Sequence, residues 1–441
     1  MEQANDLDCL LAADPKQQTL QPQVCVEQND GDTISNEQDG HKMSNRSQVK
    51  FLWLDNWNQL RNPMELLADL QKNDHAPTIP LASHLLDISS MGNVDQQQTI
   101  PQGSDEEDEG EWNIPDWIQQ CEQAVELKLK WNGLKSVPGW LFQSLCKLEV
   151  VELAHNELEC LPTEFEQLSN LTRLVCSHNR LTTLPSTIFA SMTRLKFLHL
   201  DHNHLVTIPK TVNVLSNLEI VNLANNKLDR FPLDLCSCYN LETISLSHNR
   251  IHFNIPRELS MLTRLETLFL QDNLLSETNI LPQIGECKKL KYIDLSNNKF
   301  CEFPAYLPPN INSLNCGGNK IGNLNPQIPS FKAFSANLSG LELSSTFIST
   351  LPDALSVCSH LLFVNLSHCK NITIFPQVIL KWKKLLSLNL SHTEIKIIPN
   401  ELSSLVTLRV LNLEQCQNLQ SIPGKLIATN MTKLEQLNLR G

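Results

Sequence analysis

The feature that most constrains this chain is a phrase that returns: LxxLxLxxNxLxxLP. It reads LEVVELAHNELECLP, then LTRLVCSHNRLTTLP, LKFLHLDHNHLVTIP and LEIVNLANNKLDRFP. The ninth position of the phrase falls at residues 132, 156, 179, 203, 226, 249, 273, 298, 319, 346, 369, 393 and 416, spaced 21 to 27 apart and mostly 23 or 24. A chain that repeats one short unit cannot bury the apolar face of that unit alone. It must stack neighbour on neighbour, so the core grows as a column rather than a sphere.

Within each unit the LxL step has period two, which predicts a short strand with its leucines inward and the residues between them outward. Successive strands then lie side by side, about 4.8 Å apart, giving fourteen strands an inner face roughly 60 Å long. The segment that follows, LPxxhxxLxx, opens on proline and continues with helix-compatible residues. It needs more width than a strand, so the stack curves with the strands on its concave side. The expected fold is an α/β leucine-rich-repeat solenoid: a curved horseshoe of parallel strands with short helices or 3-10 turns outside. Thirteen units are complete over 124–441, and a fourteenth begins with LEQLNLRG and stops, which reads as a fragment whose continuation is missing.

The ninth-position asparagine has a structural reading. An amide side chain carries donors and an acceptor, so stacked asparagines can satisfy backbone groups where the chain turns off the strand. Asn132, Asn156, Asn179, Asn203, Asn226, Asn249, Asn273, Asn298 and Asn319 hold this place, after which Thr346, Cys369, Thr393 and Cys416 replace it. Those substitutes complete the turn with fewer bonds. Pro304, Pro308 and Pro309, in a unit compressed to 21 residues, predict a break in the outer layer between about 300 and 340.

Charge divides the chain. Residues 1–111 carry 21 acidic and 6 basic side chains, leaving 27 and 29 for the rest, so the formal net charge of -13 belongs to the leading segment. Residues 1–110 are rich in Gln, Asn, Asp and Ser without a sustained period, and are expected to be mostly disordered. FLWLDNWNQLRNPMELLADLQ (51–71) is the exception, with a short helix expected at 62–71, read as a transient helix in a linker or, less favoured, as one that folds on a partner. SDEEDEGE (104–111) marks a solvated boundary, with Ser104 placed as an acidophilic kinase prefers. NIPDWIQQCEQA then predicts a capping helix over 111–123, with Trp117, Ile118 and Cys121 available to cover the first strand.

Several function classes are disfavoured. Neither half has the basic excess that nucleic acid attracts. There is no secretory signal and no apolar run of membrane-spanning length, so the N-x-S/T motifs at Asn170, Asn337, Asn365, Asn371 and Asn389 read as products of the repeat, and a cytoplasmic location is expected. Cysteines such as Cys176 and Cys316 read as buried hydrophobes, and Cys236 with Cys238 as a lone CxC without a companion pair. GGNKIG (317–322) and PGKL (423–426) lack phosphate-loop spacing. His155, His178, His202, His248, His368 and His392 occupy equivalent positions before the ladder residue and could form a column on one edge, either a pH-sensitive or metal-binding stripe or, on the favoured reading, a common wording of this turn, exposed and spaced too widely for one ion. No catalytic residue, cofactor or metal is therefore expected. Binding is expected from outward side chains on the strands: Lys128, Lys130, Trp131, Glu152, His155, Arg173, Phe197, His199, Phe269, Tyr292 and Asp294. Later units show mostly Ser, Asn and Gly there, which places the hot spot in the first half.

The LPxx repeats resemble those of intracellular leucine-rich proteins such as the Ras-binding scaffold group. WNIPDWIQQCEQAVELKLKWNGLKSVPGWLF is similar to the lead-in of the ROCO leucine-rich-repeat kinases. The first resemblance implies a scaffold for a signalling protein, with a small GTPase or a signalling enzyme as partner. The second implies a regulatory arm whose GTPase, COR and kinase domains lie beyond residue 441.

Overall fold

The structure, a computed structural model, describes residues 85–89, 114–280, 282–322, 324 and 336–440. Fifteen strands form one parallel sheet in chain order. They are β1 (Leu85–Asp87), β2 (Glu126–Lys128), β3 (Val150–Glu152), β4 (Arg173–Val175), β5 (Phe197–His199), β6 (Ile220–Asn222), β7 (Thr243–Ser245), β8 (Thr267–Phe269), β9 (Tyr292–Asp294), β10 (Ser313–Asn315), β11 (Gly340–Glu342), β12 (Phe363–Asn365), β13 (Ser387–Asn389), β14 (Val410–Asn412) and β15 (Gln436–Asn438). The chain is a leucine-rich-repeat solenoid. The middle residue of each strand points inward and pairs in register with the next, as in Leu127↔Val151, Leu174↔Leu198 and Val221↔Ile244. All six are fully buried, each burial being worth roughly 1.5–3 kcal/mol.

The outer layer is built mostly from five-residue 3-10 helices, among them Thr163–Gln167, Lys210–Val214, Arg257–Met261, Asp353–Val357 and Asn400–Ser404. Each starts directly after a proline, whose fixed φ and missing N–H suit a helix start. Each stops where an apolar residue turns its own N–H back three residues, as Leu168 does to the Phe165 carbonyl. Two units instead form short α-helices, α1 (Trp140–Ser144) and α2 (Gly424–Asn430). Trp382 fills the later core with its ring fully buried and its Nε1 donating to the Leu355 carbonyl at 3.0 Å. No helix among the described residues is long and apolar enough to cross a membrane.

The asparagine ladder has the expected role, and its bonds can be followed unit by unit. Asn249 Nδ2 donates to the carbonyls of Leu223 (3.0 Å), Leu246 (3.0 Å) and Ser247 (3.1 Å), while its Oδ1 accepts from the Leu228 N–H at 3.0 Å. Each amide thus ties its own turn to the preceding unit. Where the ladder changes, Thr346 Oγ1 donates to Leu343 O at 2.7 Å and lies 3.3 Å from Cys369 Sγ, which donates to the same carbonyl at 3.2 Å. The two cysteine units carry one extra residue before their next apolar position. There Ile372 N–H donates to Cys369 O and Leu419 N–H to Cys416 O, closing a local turn.

At the front, the sheet begins one strand earlier than the repeat does. β1 pairs with β2, and Leu86 and Ile88 are buried against it. Asn132 Nδ2 donates to Ile88 O at 3.0 Å, so the first ladder amide serves a strand outside the repeat phrase. The expected capping element is a 3-10 helix, Asp116–Gln120, with Ile114, Ile118 and Cys121 buried. The Trp117 side chain lies outside the described residues, as do the helix expected at 62–71 and Ser104. In the compressed unit, the described residues between β9 and β10 contain no helix, yet β10 keeps register with both neighbours. The break lies in the outer layer alone.

Candidate functional site

Each strand ends by turning sharply, and one residue per turn takes a left-handed backbone. Twelve non-glycine residues do so, with φ between 52° and 63°: Trp131, His155, His178, His202, Asn225, His248, Asp272, Asn297, Ser345, His368, His392 and Gln415. Asn, Asp and His tolerate this region better than other side chains, which explains why the turn is so often spelled with histidine. At Gly318 the column has a glycine, with φ at 67°, where a Cβ would require the exposed Asn297 side chain to move aside. GGNKIG is therefore the repeat turn itself, with Asn319 in the ladder.

Because the turns superpose, their rings stack. Trp131 lies on His155 at 3.6 Å, His155 on His178 at 4.2 Å and His178 on His202 at 4.0 Å; farther along, His368 lies on His392 at 4.1 Å. Burial in the stack, with repulsion from neighbouring imidazoles, pulls His155 and His178 below the usual histidine value. The structure thus corrects the expectation of wide spacing. Residues 23 or 24 apart along the chain are ring-to-ring neighbours in space.

Beside this column, which holds the expected Trp131 and His155, six more of the expected binding residues lie on β2 to β5 or just after them. Lys128 Nζ lies 3.2 Å from Glu126 Oε2. Lys130 Nζ and Arg173 Nε approach the buried Glu152 carboxylate at 2.9 and 3.5 Å. The Arg173 guanidinium lies 6.0 Å from the Phe197 ring centre. His199 is half-buried, and burial followed by the Arg173 charge lowers its imidazole. The cations are largely compensated by carboxylates, so this patch presents aromatic and guanidinium surface more than net charge. Lys130 and Glu152 belong to the scaffolding of the face.

Three further expected residues sit apart on β8 and β9. Phe269 and Tyr292 pack at 5.2 Å with planes tilted by 55°. Asp294 is buried, and its carboxylate accepts bonds from Tyr292 Oη (3.1 Å), Ser296 Oγ (2.6 Å), Ser296 N (2.9 Å) and Asn315 Nδ2 (2.9 Å). Its oxygens are occupied within the protein. Asp294 corresponds to no open anchor, although its position in the phrase is outward.

The strands β10 to β13 hold a feature the sequence analysis did not single out. A cleft of about 320 Å³ is lined by Ser313, Gly340, Glu342, Phe363, Asn365 and Asn389, among others. Phe363 is 53% exposed over its small neighbours. Asn365, Asn389 and Asn412, on three successive strands, each accept the N–H two residues on through Oδ1 at 3.0 Å. The signal was a lone phenylalanine flanked by Gly340 and Ser387 on neighbouring strands, invisible until the register is known.

Profiles described as "Leucine rich repeat" match residues 123–181 and 169–228, and a second match 240–262 and 289–309. Mouse podocan is 31% identical over 134 residues, 25% of this chain and 22% of that protein. Adenylate cyclase of Schizosaccharomyces pombe is 34% identical over 142 residues, 32% of this chain and 8% of that protein. The chain therefore spans less than a quarter of either relative. Among solved structures, a leucine-rich-repeat protein of Leptospira interrogans superposes with a TM-score of 0.64 at 29% identity, covering 73% of this chain and 86% of that one. The chain is built of leucine-rich repeats, and a leucine-rich-repeat array in general serves protein interaction.

Proposed function

We propose that this protein is an adaptor of intracellular signalling that holds a protein partner on the concave face of its repeats. The observation that carries the reading is the row of half-exposed side chains on β2 to β5, backed by a continuous sheet. Trp131, 49% exposed, Arg173 and Phe197 are of the types that anchor interfaces. Their backbones are fixed by the ladder, so a partner meets them at little ordering cost. The partner class is an extended protein segment able to cross several strands, contributed by a small GTPase or a signalling enzyme. A cytoplasmic setting fits the twelve cysteines of the described residues, all of them free.

The test is quantitative affinity purification with the full chain. Trp131→Ala combined with Phe197→Ala should remove specific partners, whereas Met261→Ala, on the outer Arg257–Met261 helix, should retain them. Lys130 is a poor probe because its replacement uncovers the buried Glu152 charge. Identical partner sets for all variants would overturn the proposal.

A further inference from the structure

One point of the histidine column differs from the rest. Of its described histidines, only His202 directly follows a carboxylate, Asp201; His155 follows Ala154, and His178, His248, His368 and His392 follow serines or histidine-free small residues, namely Ser177, Ser247, Ser367 and Ser391. His178, Asp201 and His202 each offer a ligand atom, and the three atoms lie within 4.8 Å of one another. We propose that these three residues bind one divalent transition ion of the zinc type, joining two neighbouring repeat turns.

The geometry needs only a small contraction. Ligand atoms bonded to one zinc ion at about 2.0–2.2 Å stand roughly 3.4 Å apart in a tetrahedral shell. Both histidines are exposed, so their rings can turn about Cβ–Cγ until the lone pairs converge. The backbone beneath is held. His178 N–H donates to Asp201 O at 3.0 Å, His202 N–H to Ala224 O at 2.9 Å, and both residues keep their left-handed φ, 55° and 54°. Ser177 Oγ donates to Asp201 Oδ1 at 2.7 Å, orienting the carboxylate as an outer-shell partner does. Asn225 Nδ2, 3.3 Å from His202 Nε2, is the one contact that ligation at that nitrogen would displace.

The donor set selects the ion. Two imidazoles and one carboxylate suit Zn2+ and its neighbours, whereas Mg2+ and Ca2+ call for oxygen shells. The equally tight stack of His368 on His392 lacks the carboxylate and is a built-in control.

The experiment is calorimetric titration of the chelator-treated full chain with ZnCl2, repeated with Co2+ while its visible absorption is followed. Asn225 and Asn297 occupy equivalent turns at φ 53° and 52°, so His178→Asn with His202→Asn preserves the backbone, which circular dichroism verifies. Expected are a zinc site removed by that pair and weakened about 10–100-fold by Asp201→Asn or Ser177→Ala. His368→Asn with His392→Asn should leave it unchanged. Absence of saturable binding at millimolar Zn2+, or an affinity unaltered by the His178 and His202 replacements, would overturn the site.

Discussion

Asn226→Ala removes one rung of the ladder, and the structure allows its cost to be worked bond by bond. Asn226 Oδ1 accepts from Leu205 N–H at 2.9 Å, and Nδ2 donates to the carbonyls of Leu200 (3.0 Å), Leu223 (3.1 Å) and Ala224 (3.2 Å). The three carbonyls keep other donors: Asn203 Nδ2 for Leu200, Asn249 Nδ2 for Leu223 and His202 N–H for Ala224. The Leu205 N–H keeps none in the described structure. A buried donor left unpaired costs about 1–3 kcal/mol, and three bonds to carbonyls that remain partnered add the lower end of about 0.5 each. The expected loss is therefore about 2.5–4.5 kcal/mol. Urea unfolding followed by circular dichroism reads it as a lower midpoint, and hydrogen exchange reads it locally as a faster Leu205 amide. Asn226→Thr should lose less, since Thr346 holds one carbonyl in the same place. A midpoint unchanged by Asn226→Ala, with normal protection at Leu205, would refute the ladder argument.

Two other outcomes follow from the turns. Gly318→Ala places a Cβ against the Asn297 amide at a φ of 67°, and should destabilise by about 1–3 kcal/mol in the same unfolding assay; stability equal to that of the parent would show that the turn relaxes. Burial, His392 and Lys370 hold His368 below its ordinary value of 6.5. The unfolded chain then takes up this proton first on acidification, so the contribution is present above about pH 6.5 and is lost as pH falls through the folded-state value. His368→Asn should flatten that part of the stability–pH curve between about pH 7.5 and 5.5, and an unchanged slope would contradict it.

The inward leucines, the ladder and the outer-layer break were legible because each depends on local spacing alone. Other features depend on which residues the stacking makes neighbours. The strand at Leu85–Asp87 lies outside the repeat phrase, yet Asn132 of the following unit bonds Ile88 O as Asn156 bonds Leu129 O. The alternation that labels Glu152 and Asp294 as outward holds for the backbone, but long neighbours such as Arg173 and Tyr292 cover them. The equivalent positions of the histidines suggested a column on one edge, but that their rings touch follows only from a strand-to-strand step of about 4.8 Å. The cleft at Phe363 arises from the smallness of what flanks it, and the sequence analysis weighed only large side chains as anchors.

Native cysteines report most directly on the inward and outward assignment. Timed alkylation of the folded chain, resolved by mass spectrometry, should modify the exposed Cys146, Cys160 and Cys301 readily. Cys176, Cys316, Cys369 and Cys416, buried on the leucine side and at the ladder, should stay protected until denaturant is added. Labelling of Cys176 and Cys316 as fast as Cys146 in the folded protein would mean that the repeating leucines do not form the interior.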